Sequence, residues 1–315
     1  MKTKVFIDGS EGTTGLRIHE RFSVRDDIEL LSISPELRKD PKERQRLMNL
    51  SDITFLCLPD AAAIESVSLV ENENVVIIDT STAHRTSEGW AYGFPELSKN
   101  HREAIRNGKR IAVPGCHATG FISTVYPMIA GGLMPADYPV SAFSLTGYSG
   151  GGKKMIAAYE DEDKKQELYA PREYAITQNH KHLKEMGKIT GLARLPLFSP
   201  IVDDYYSGMV TTVPLYMDML KKGISVESVR EYFKDYYKGQ KFISVADEDD
   251  ETASTGFISG NQLTGYDGLK IYITGNEERI LLTAQFDNLG KGASGAAMQC
   301  MNIILGCDEA KGLNL

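Results

Sequence analysis

The first twenty residues constrain the fold more than any other stretch. Thr3-Lys-Val-Phe-Ile-Asp8 reads as a buried strand, Gly9-Ser-Glu-Gly12-Thr-Thr-Gly15 follows at once, and an amphipathic helix carrying Leu16, Ile18 and Phe22 comes next. Three glycines at a spacing of three, between a strand and a helix, suit a dinucleotide loop. Glycine allows the tight turn and the close backbone approach, and a pyrophosphate rests on the helix N-terminus. The spacing G-x-x-G-x-x-G departs from the commoner G-x-G-x-x-G, so the strand and helix on either side carry much of the argument. Gly9, Ser10, Gly12, Thr13, Thr14 and Gly15 are the expected contacts.

A second strand, Ile28 to Ile33, ends in Ser32-Ile-Ser34-Pro-Glu-Leu-Arg38-Lys39. An NAD site usually places Asp or Glu there to hold the ribose 2′-hydroxyl. Small hydroxyls followed by two cations suit a 2′-phosphate instead, which favours NADP(H) with Ser34 and Arg38 as contacts. The competing reading is that Arg38 and Lys39 open a solvated helix running to Met48, and Glu36 counts for it. Strands at 53–58, 75–79 and 111–113 then alternate with helices at 61–70 and 95–107. Alternation of this kind indicates a doubly wound parallel sheet whose ligand edge lies at the C-terminal strand ends. Pro59, the run Thr80 to Arg85, and Gly115-Cys116 all fall at such ends.

Beyond Gly131-Gly132 the pattern changes. Strands at 140–146, 195–198, 209–216, 269–274 and 280–286 have fewer helices between them, which indicates an α+β domain around a mixed sheet. Gly147 to Lys154 reads as a mobile, basic, glycine-rich loop, Glu160 to Lys165 as a solvated charge run, and Val226, Val229, Phe233 and Tyr237 as one helical stripe. The expected fold is therefore α/β: a Rossmann-type parallel sheet over residues 1–117 and a catalytic, dimerising α+β domain over 118–287. The remaining segment, 288–315, is expected to be a C-terminal helix returning to the first domain. A length of 315 residues suits two cores.

Net charge of −8 argues against nucleic acid as the main partner. No run of about 18 apolar residues suggests a membrane span. The N-terminus enters a strand directly, so a cytoplasmic protein is expected. Four cysteines at 57, 116, 300 and 307 form neither a zinc pattern nor a disulfide framework.

Cys116 is the exception worth pursuing. It sits in Ile111-Ala-Val-Pro-Gly-Cys-His-Ala-Thr-Gly120, at a strand-to-helix elbow where helix amides and dipole favour a thiolate and can hold an oxyanion. The bland alternative is a small buried hydrophobe. A nucleophile needs a base. His19 and His101 lie in helix-like surface stretches, and His117 adjoins Cys116, where neighbouring side chains at a helix start diverge. His180 and His182 remain, with a surface pair as the competing reading. Arg85 is the best-placed cation for an anionic substrate, ahead of Lys153, Lys154, Arg172, Arg194 and Lys291. A cysteine beside a nicotinamide suggests one reaction type: thiolate attack on an activated acyl group, then hydride transfer to the thioester, or the reverse.

With these residues in hand, the chain resembles the short form of the N-acetyl-γ-glutamyl-phosphate reductases of arginine biosynthesis. The likeness rests on the glycine loop, Phe55-Leu-Cys-Leu-Pro59, Ile78-Asp-Thr-Ser-Thr-Ala-His-Arg85, and Trp90-Ala-Tyr-Gly-Phe-Pro-Glu-Leu97. It continues through Val113-Pro-Gly-Cys116, His180-Lys-His182-Leu-Lys-Glu185 and Asp287-Asn-Leu-Gly-Lys-Gly-Ala293. The resemblance implies NADPH-dependent reduction of N-acetylglutamyl 5-phosphate to the semialdehyde, in a homodimer or homotetramer. It implies Cys116 as nucleophile and His180 as acid/base, with Arg85, His182 and Tyr174 around the substrate and Thr146, Gly147, Gly150, Asn288 and Lys291 toward the cofactor; Pro59, at its strand end, is a further expected cofactor contact. Longer members carry an arginine-containing segment after Phe198-Ser-Pro200, where this chain has Ile201-Val-Asp-Asp-Tyr-Tyr206. Lys153 or Lys154 is expected to compensate. Two alternatives stay open at this level: aspartyl or aminoadipyl phosphate as substrate, or a non-catalytic NADP-binding regulator.

Overall fold

The computed structural model describes residues 2–23 and 25–315. The chain divides into two compact units, residues 1–114 with 293–313, and residues 115–292 with 314–315.

The first unit is built on six parallel strands: β1 (Thr3–Asp8), β2 (Ile28–Leu31), β3 (Ile53–Leu56), β4 (Val76–Asp79), β5 (Ala91–Tyr92) and β6 (Arg110–Ala112), in the order β2-β1-β3-β4-β6-β5. Helices α1 (Thr13–Phe22), α2 (Pro41–Leu50), α3 (Asp60–Ser68) and α4 (Lys99–Asn107) connect them. Strands buried on both faces must be apolar throughout, and β3 (Ile-Thr-Phe-Leu) is fully buried. The pleat sorts its residues into two cores. Val5, Ile7, Phe55 and Ile78 pack with Ile18 and Phe22 of α1, Ile105 of α4, and the C-terminal helix Gly295–Leu305. Phe6, Leu56 and Ile77 face the other way, onto Leu47 and Met48 of α2 and Ala63 of α3. This is the doubly wound arrangement that the alternation of elements predicts.

Several details differ from the sequence reading, among them that the strand expected at 53–58 ends at Leu56 and the helix expected at 61–70 spans Asp60–Ser68. Leu16 is exposed on α1, and Gly15 takes its place on the buried side because a Cβ at Gly15 would come within 2.3 Å of the Gly9 carbonyl. Residues 95–107 are not one helix. A 3₁₀ turn covers Pro95–Leu97, and Ser98 breaks the run and caps α4 by accepting the His101 N–H. Strand β2 ends at Leu31, two residues early, as an edge strand.

The second unit holds a seven-stranded mixed sheet. Its elements in chain order are α5 (Cys116–Ala130), β7 (Ser141–Gly147), α6 (Gly152–Glu160), β8 (Arg172–Glu173), α7 (Leu183–Thr190), β9 (Leu197–Asp203), β10 (Met209–Tyr216), α8 (Val226–Tyr236), β11 (Ile243–Val245), α9 (Glu251–Ser254), β12 (Leu269–Gly275) and β13 (Arg279–Phe286). The strand order is β11-β12-β13-β10-β7-β9-β8. Apolar helix α5 lies on one face of β10 and β13. It contains Pro127, which cannot donate to the Ser123 carbonyl, and the Tyr237 hydroxyl does so instead at 2.7 Å.

The glycine-rich basic segment is ordered rather than loop-like. A 3₁₀ turn (Tyr148–Gly151) leads into α6, which takes in Lys153 and Lys154. The charge run is not simply solvated either. Lys164 bonds both Asp204 carboxylate oxygens at 2.8 Å and lies 4.3 Å from the Tyr169 ring centroid.

Candidate active site

In the second unit, Cys116 occupies the first turn of α5. The N-cap is Gly115, which has no side chain to cap with, so the opening amides are left to other partners. The Gly115 N–H donates to Glu185 Oε1 at 2.9 Å, tying the elbow to α7. On the opposite side a Cβ at Gly292 would stand 3.0 Å from Cys116 Cβ, so glycine there lets the 287–292 loop pass close to the cysteine. None of the four cysteines forms a disulfide, and Cys116 is partly exposed.

Around it lies a group of aromatic and imidazole rings. His117 is buried, with Nδ1 2.6 Å from Ser144 Oγ and Nε2 2.5 Å from the Tyr174 hydroxyl. Its ring centroid is 5.4 Å from that of His180 and 5.7 Å from that of His182. His180 and His182 stand edge to face at 4.7 Å. Burial first, then the nearby His180 and Lys181, push the His117 pKa down to about 3, so this ring is neutral. Burial, reinforced by Cys116, raises the Tyr174 hydroxyl and keeps its proton on. The His182 backbone N–H donates to His180 Nδ1 at 3.2 Å, which leaves Nε2 as the nitrogen that presents a proton to the site.

The segment that delivers these groups is strained and braced. Ala175 and Gln178, between Tyr174 and His180, have φ of 51° and 57°, a left-handed conformation uncommon for non-glycine residues. The Gln178 side chain offsets this by bonding both the N–H and the C=O of Phe198 on β9, at 2.9 and 2.8 Å.

The sequence singled out Cys116, Tyr174, His180 and His182, and the structure brings all four together. His117 was discounted because adjacent side chains at a helix start diverge. In the structure His117 bonds Tyr174 and Ser144 of β7, and Tyr174 is also close enough to Cys116 to be raised by it. Ser144 also carried no sequence signal.

Other candidates lie elsewhere. Lys153 is exposed in the first turn of α6. Asn288 accepts the Gly208 N–H at 2.8 Å and donates to Ser149 Oγ at 3.0 Å, bracing the turn after β7. The carbonyls of Tyr205 and Tyr206 hold Tyr148 and Ser149 through their N–H groups, so the Ile201–Tyr206 segment serves as backbone support for Gly147 and Gly150. Thr146 is buried beside them, and Lys291 is fully buried with its ammonium 5.2 Å from the Phe242 ring centroid.

In the first unit, the loop after β1 forms a cradle fit for a dinucleotide. Gly9 has φ of +87°, and a Cβ there would collide with the Cys57 carbonyl at 2.4 Å. Gly12 caps α1 with no side-chain bond, which leaves the amides of Thr13 and Thr14 at an uncapped N-terminus beside Ser10. Arg38, past β2, pairs with Glu11 of the loop, and its buried Nε has no partner among the described residues. Ser34 and Pro59 are exposed. Arg85 is buried and donates from Nε to the Val113 carbonyl at 2.8 Å and from Nη2 to that of Thr80 at 3.0 Å, fastening two strand ends. Beside it, His84 Nδ1 lies 2.6 Å from Asp79, and its ring stacks on Trp90 at 4.0 Å.

Among the described residues, no acidic, histidine or cysteine group could hold a metal ion, and no helix is long and apolar enough to cross a membrane.

The family model for the semialdehyde dehydrogenase NAD-binding domain matches residues 4–107, and that for the semialdehyde dehydrogenase dimerisation domain matches residues 116–288. An N-acetyl-γ-glutamyl-phosphate reductase 2 of Nostoc sp. is 44% identical over 99% of this chain and 99% of its own length. An N-acetyl-γ-glutamyl-phosphate reductase of Sinorhizobium medicae is 44% identical over 97% of this chain and 99% of its own. Among solved structures, aspartate semialdehyde dehydrogenase II of Vibrio cholerae covers 97% of this chain and 99% of its own at 16% identity with a TM-score of 0.73, a likeness of fold.

Proposed function

The chain belongs to the N-acetyl-γ-glutamyl-phosphate reductase family, and on that premise we propose the reaction and the part each residue takes in it. The enzyme reduces N-acetyl-L-glutamyl 5-phosphate with NADPH to N-acetyl-L-glutamate 5-semialdehyde and phosphate, a step of arginine biosynthesis. The observation that supports this mechanism best is Cys116 on an uncapped helix start, within one group with Tyr174, His180 and His182.

Cys116 Sγ attacks the acyl carbon. The S–C bond forms, the C–O bond to phosphate breaks, and the acyl group stays on the cysteine as a thioester. The α5 amides and Tyr174 face the oxygen on which negative charge develops. Cys116 attacks as the thiolate that the α5 start favours, and His180 acts as the acid/base through Nε2, giving its proton to the reacting oxygen and regaining one afterwards. His182 and Arg85 serve the substrate, one at the histidine group and one by fastening the strand ends of the first unit, and Lys153 supplies positive charge. Gly9, Ser10, Gly12, Thr13, Thr14 and Gly15 cradle the pyrophosphate, Ser34 and Arg38 the 2′-phosphate, and Pro59, Thr146, Gly147, Gly150, Asn288 and Lys291 the remainder. NADPH held there would supply hydride to the thioester carbon, after which the C–S bond breaks and the aldehyde leaves Cys116 as thiolate.

The test is phosphate-dependent reduction of NADP⁺ by N-acetylglutamate semialdehyde. Cys116→Ala should lose on the order of 10³-fold in turnover, because covalent catalysis is removed. Near-normal activity in that variant would sink the mechanism. Asn at position 180 or 182, assayed across pH, separates the two histidines: an unchanged profile in His180→Asn moves the acid/base role to His182.

The active enzyme is a homodimer or homotetramer, with a second copy on the open face of the seven-stranded sheet. Phe143, Leu197, Tyr216 and Leu281 stand 49%, 68%, 61% and 40% exposed there, on adjacent strands, in the domain whose matching model is a dimerisation domain. Phe143→Glu should shift sedimentation toward the monomer. An unchanged sedimentation coefficient would place the partner elsewhere. A cytoplasmic location suits an amino-acid biosynthetic reductase that draws on NADPH.

A further inference from the structure

The hydrogen bonds behind Cys116 form a chain with a direction. Thr211 on β10 and Ser144 on β7 pair across the sheet, their hydroxyl oxygens 2.8 Å apart, and both are fully buried. The chain continues from Ser144 Oγ to His117 Nδ1 at 2.6 Å, and from His117 Nε2 to the Tyr174 hydroxyl at 2.5 Å.

Each hydroxyl has one proton to place. Among the described residues, Ser144 Oγ is the hydrogen-bond partner of the Thr211 hydroxyl, so Thr211 donates to Ser144. The Ser144 proton then goes to His117 Nδ1, which must be unprotonated. A neutral imidazole with a bare Nδ1 carries its proton on Nε2, and that N–H donates to the Tyr174 oxygen. Burial keeps the ring neutral, as described above. The reverse direction strands the Thr211 proton in a dry interior, which disfavours it by roughly 5- to 150-fold.

We propose that Ser144 and His117 form a tautomer lock that holds Tyr174 with its oxygen accepting from His117 and its own O–H turned outward, as a donor to the oxygen of the acyl group on Cys116. The lock rests on the acyl-cysteine reading above. Ser144 and His117 are positioning residues, because they act through Tyr174. Thr211 fills the Ser144 lone pair and sets the direction from behind. Burial, and after it the neighbouring Cys116, raises the Tyr174 hydroxyl, so its proton stays on.

The test is ¹⁵N NMR of the full-length enzyme with ¹⁵N-labelled histidine, assigned by comparison with His117→Gln. The expected spectrum shows His117 with a protonated Nε2 and a bare Nδ1. A protonated Nδ1 overturns the proposal, and this readout needs no catalysis. In Ser144→Ala the two tautomers should mix, and kcat should fall by about tenfold while KM for NADPH stays put; Ser144→Thr, which keeps the hydroxyl, should restore both signals. Unchanged kcat in a Ser144→Ala enzyme with mixed tautomers also overturns the proposal. Loss of the acyl-cysteine reading would appear separately, as activity surviving in Cys116→Ala with the His117 spectrum unaltered.

Discussion

Two helix glycines of the second unit should respond to the same substitution with opposite signs. Gly120 lies one turn beyond Cys116 in α5, and Gly187 lies in α7. Alanine at either site gains roughly 1 kcal/mol of helix propensity. At Gly187 the new Cβ would meet Leu195 Cδ2 at 2.7 Å, the tip of a flexible side chain that is 55% exposed and can swing away. The propensity gain should survive there. At Gly120 the Cβ would stand 2.5 Å from Thr211 Oγ1, 2.6 Å from Thr211 Cβ and 2.9 Å from Phe286 Cε1.

Thr211 cannot yield in the same way. It is β-branched, with a stiff χ1, and it is paired on both sides, to Ser144 and to Ala284. Overpacking against such a neighbour costs about 1–3 kcal/mol, and the upper half of that range applies here, so Gly120→Ala should lose about 1–2 kcal/mol net. The strain is relieved by lifting the first turns of α5, which carry the nucleophile. A displacement near 1 Å costs on the order of 10² in rate. Urea midpoints at constant m-value, with kcat/KM on the same preparations, read both effects. Midpoints moving in the same direction for the two variants, or wild-type kcat/KM in Gly120→Ala, would refute the packing argument.

Two further outcomes follow from buried polar groups. Tyr237→Phe leaves the Ser123 carbonyl without the donor that Pro127 cannot supply, so stability should drop by about 1–3 kcal/mol with little change in KM, read by urea unfolding and steady-state kinetics. His117 takes up a proton near pH 6.5 when unfolded and stays neutral to about pH 3 when folded. The unfolded chain therefore binds more protons in that window, and stability falls as pH falls through it. Between pH 7.5 and 5.5 the wild type should lose about 1.4 kcal/mol more than His117→Gln; equal losses would mean that His117 titrates normally in the fold.

Much of the first unit was legible because its physics is local and periodic. Strands such as Ile53–Leu56 are apolar on both faces, which parallel sheets require, and Gly9, Gly12 and Gly15 stand where a Cβ would meet backbone or block a ligand. Cys116 was legible from Pro114-Gly115 and the helix start that follows. The misses have physical causes too. Ser98 separates a 3₁₀ turn from a helix through one side-chain cap, and a periodicity argument averages over that. The order of Gly147–Lys154 comes from carbonyls of Tyr205 and Tyr206, more than fifty residues away, so local composition suggests a mobility that long-range bonding removes.

The deeper difficulty lies in β7, where the usual pattern is inverted. In Ser141-Ala-Phe-Ser-Leu-Thr-Gly147, period-two reading would bury Phe143 and Leu145 and send Ser144 and Thr146 to solvent. The structure does the opposite: Phe143 is half exposed, while Ser144 and Thr146 face α5 from within. One inversion serves two needs. Turning the polar residues inward costs burial of hydroxyls, which is tolerable because Ser144 is bonded on both sides, to Thr211 and His117. Turning Phe143 and Leu145 outward leaves apolar area on the open face, which a second copy of the chain can cover. A strand whose hydrophobic face looks wrong for its own core therefore carries, in one register, the donor that orients His117 and an exposed apolar face. A one-residue slip would lose both together.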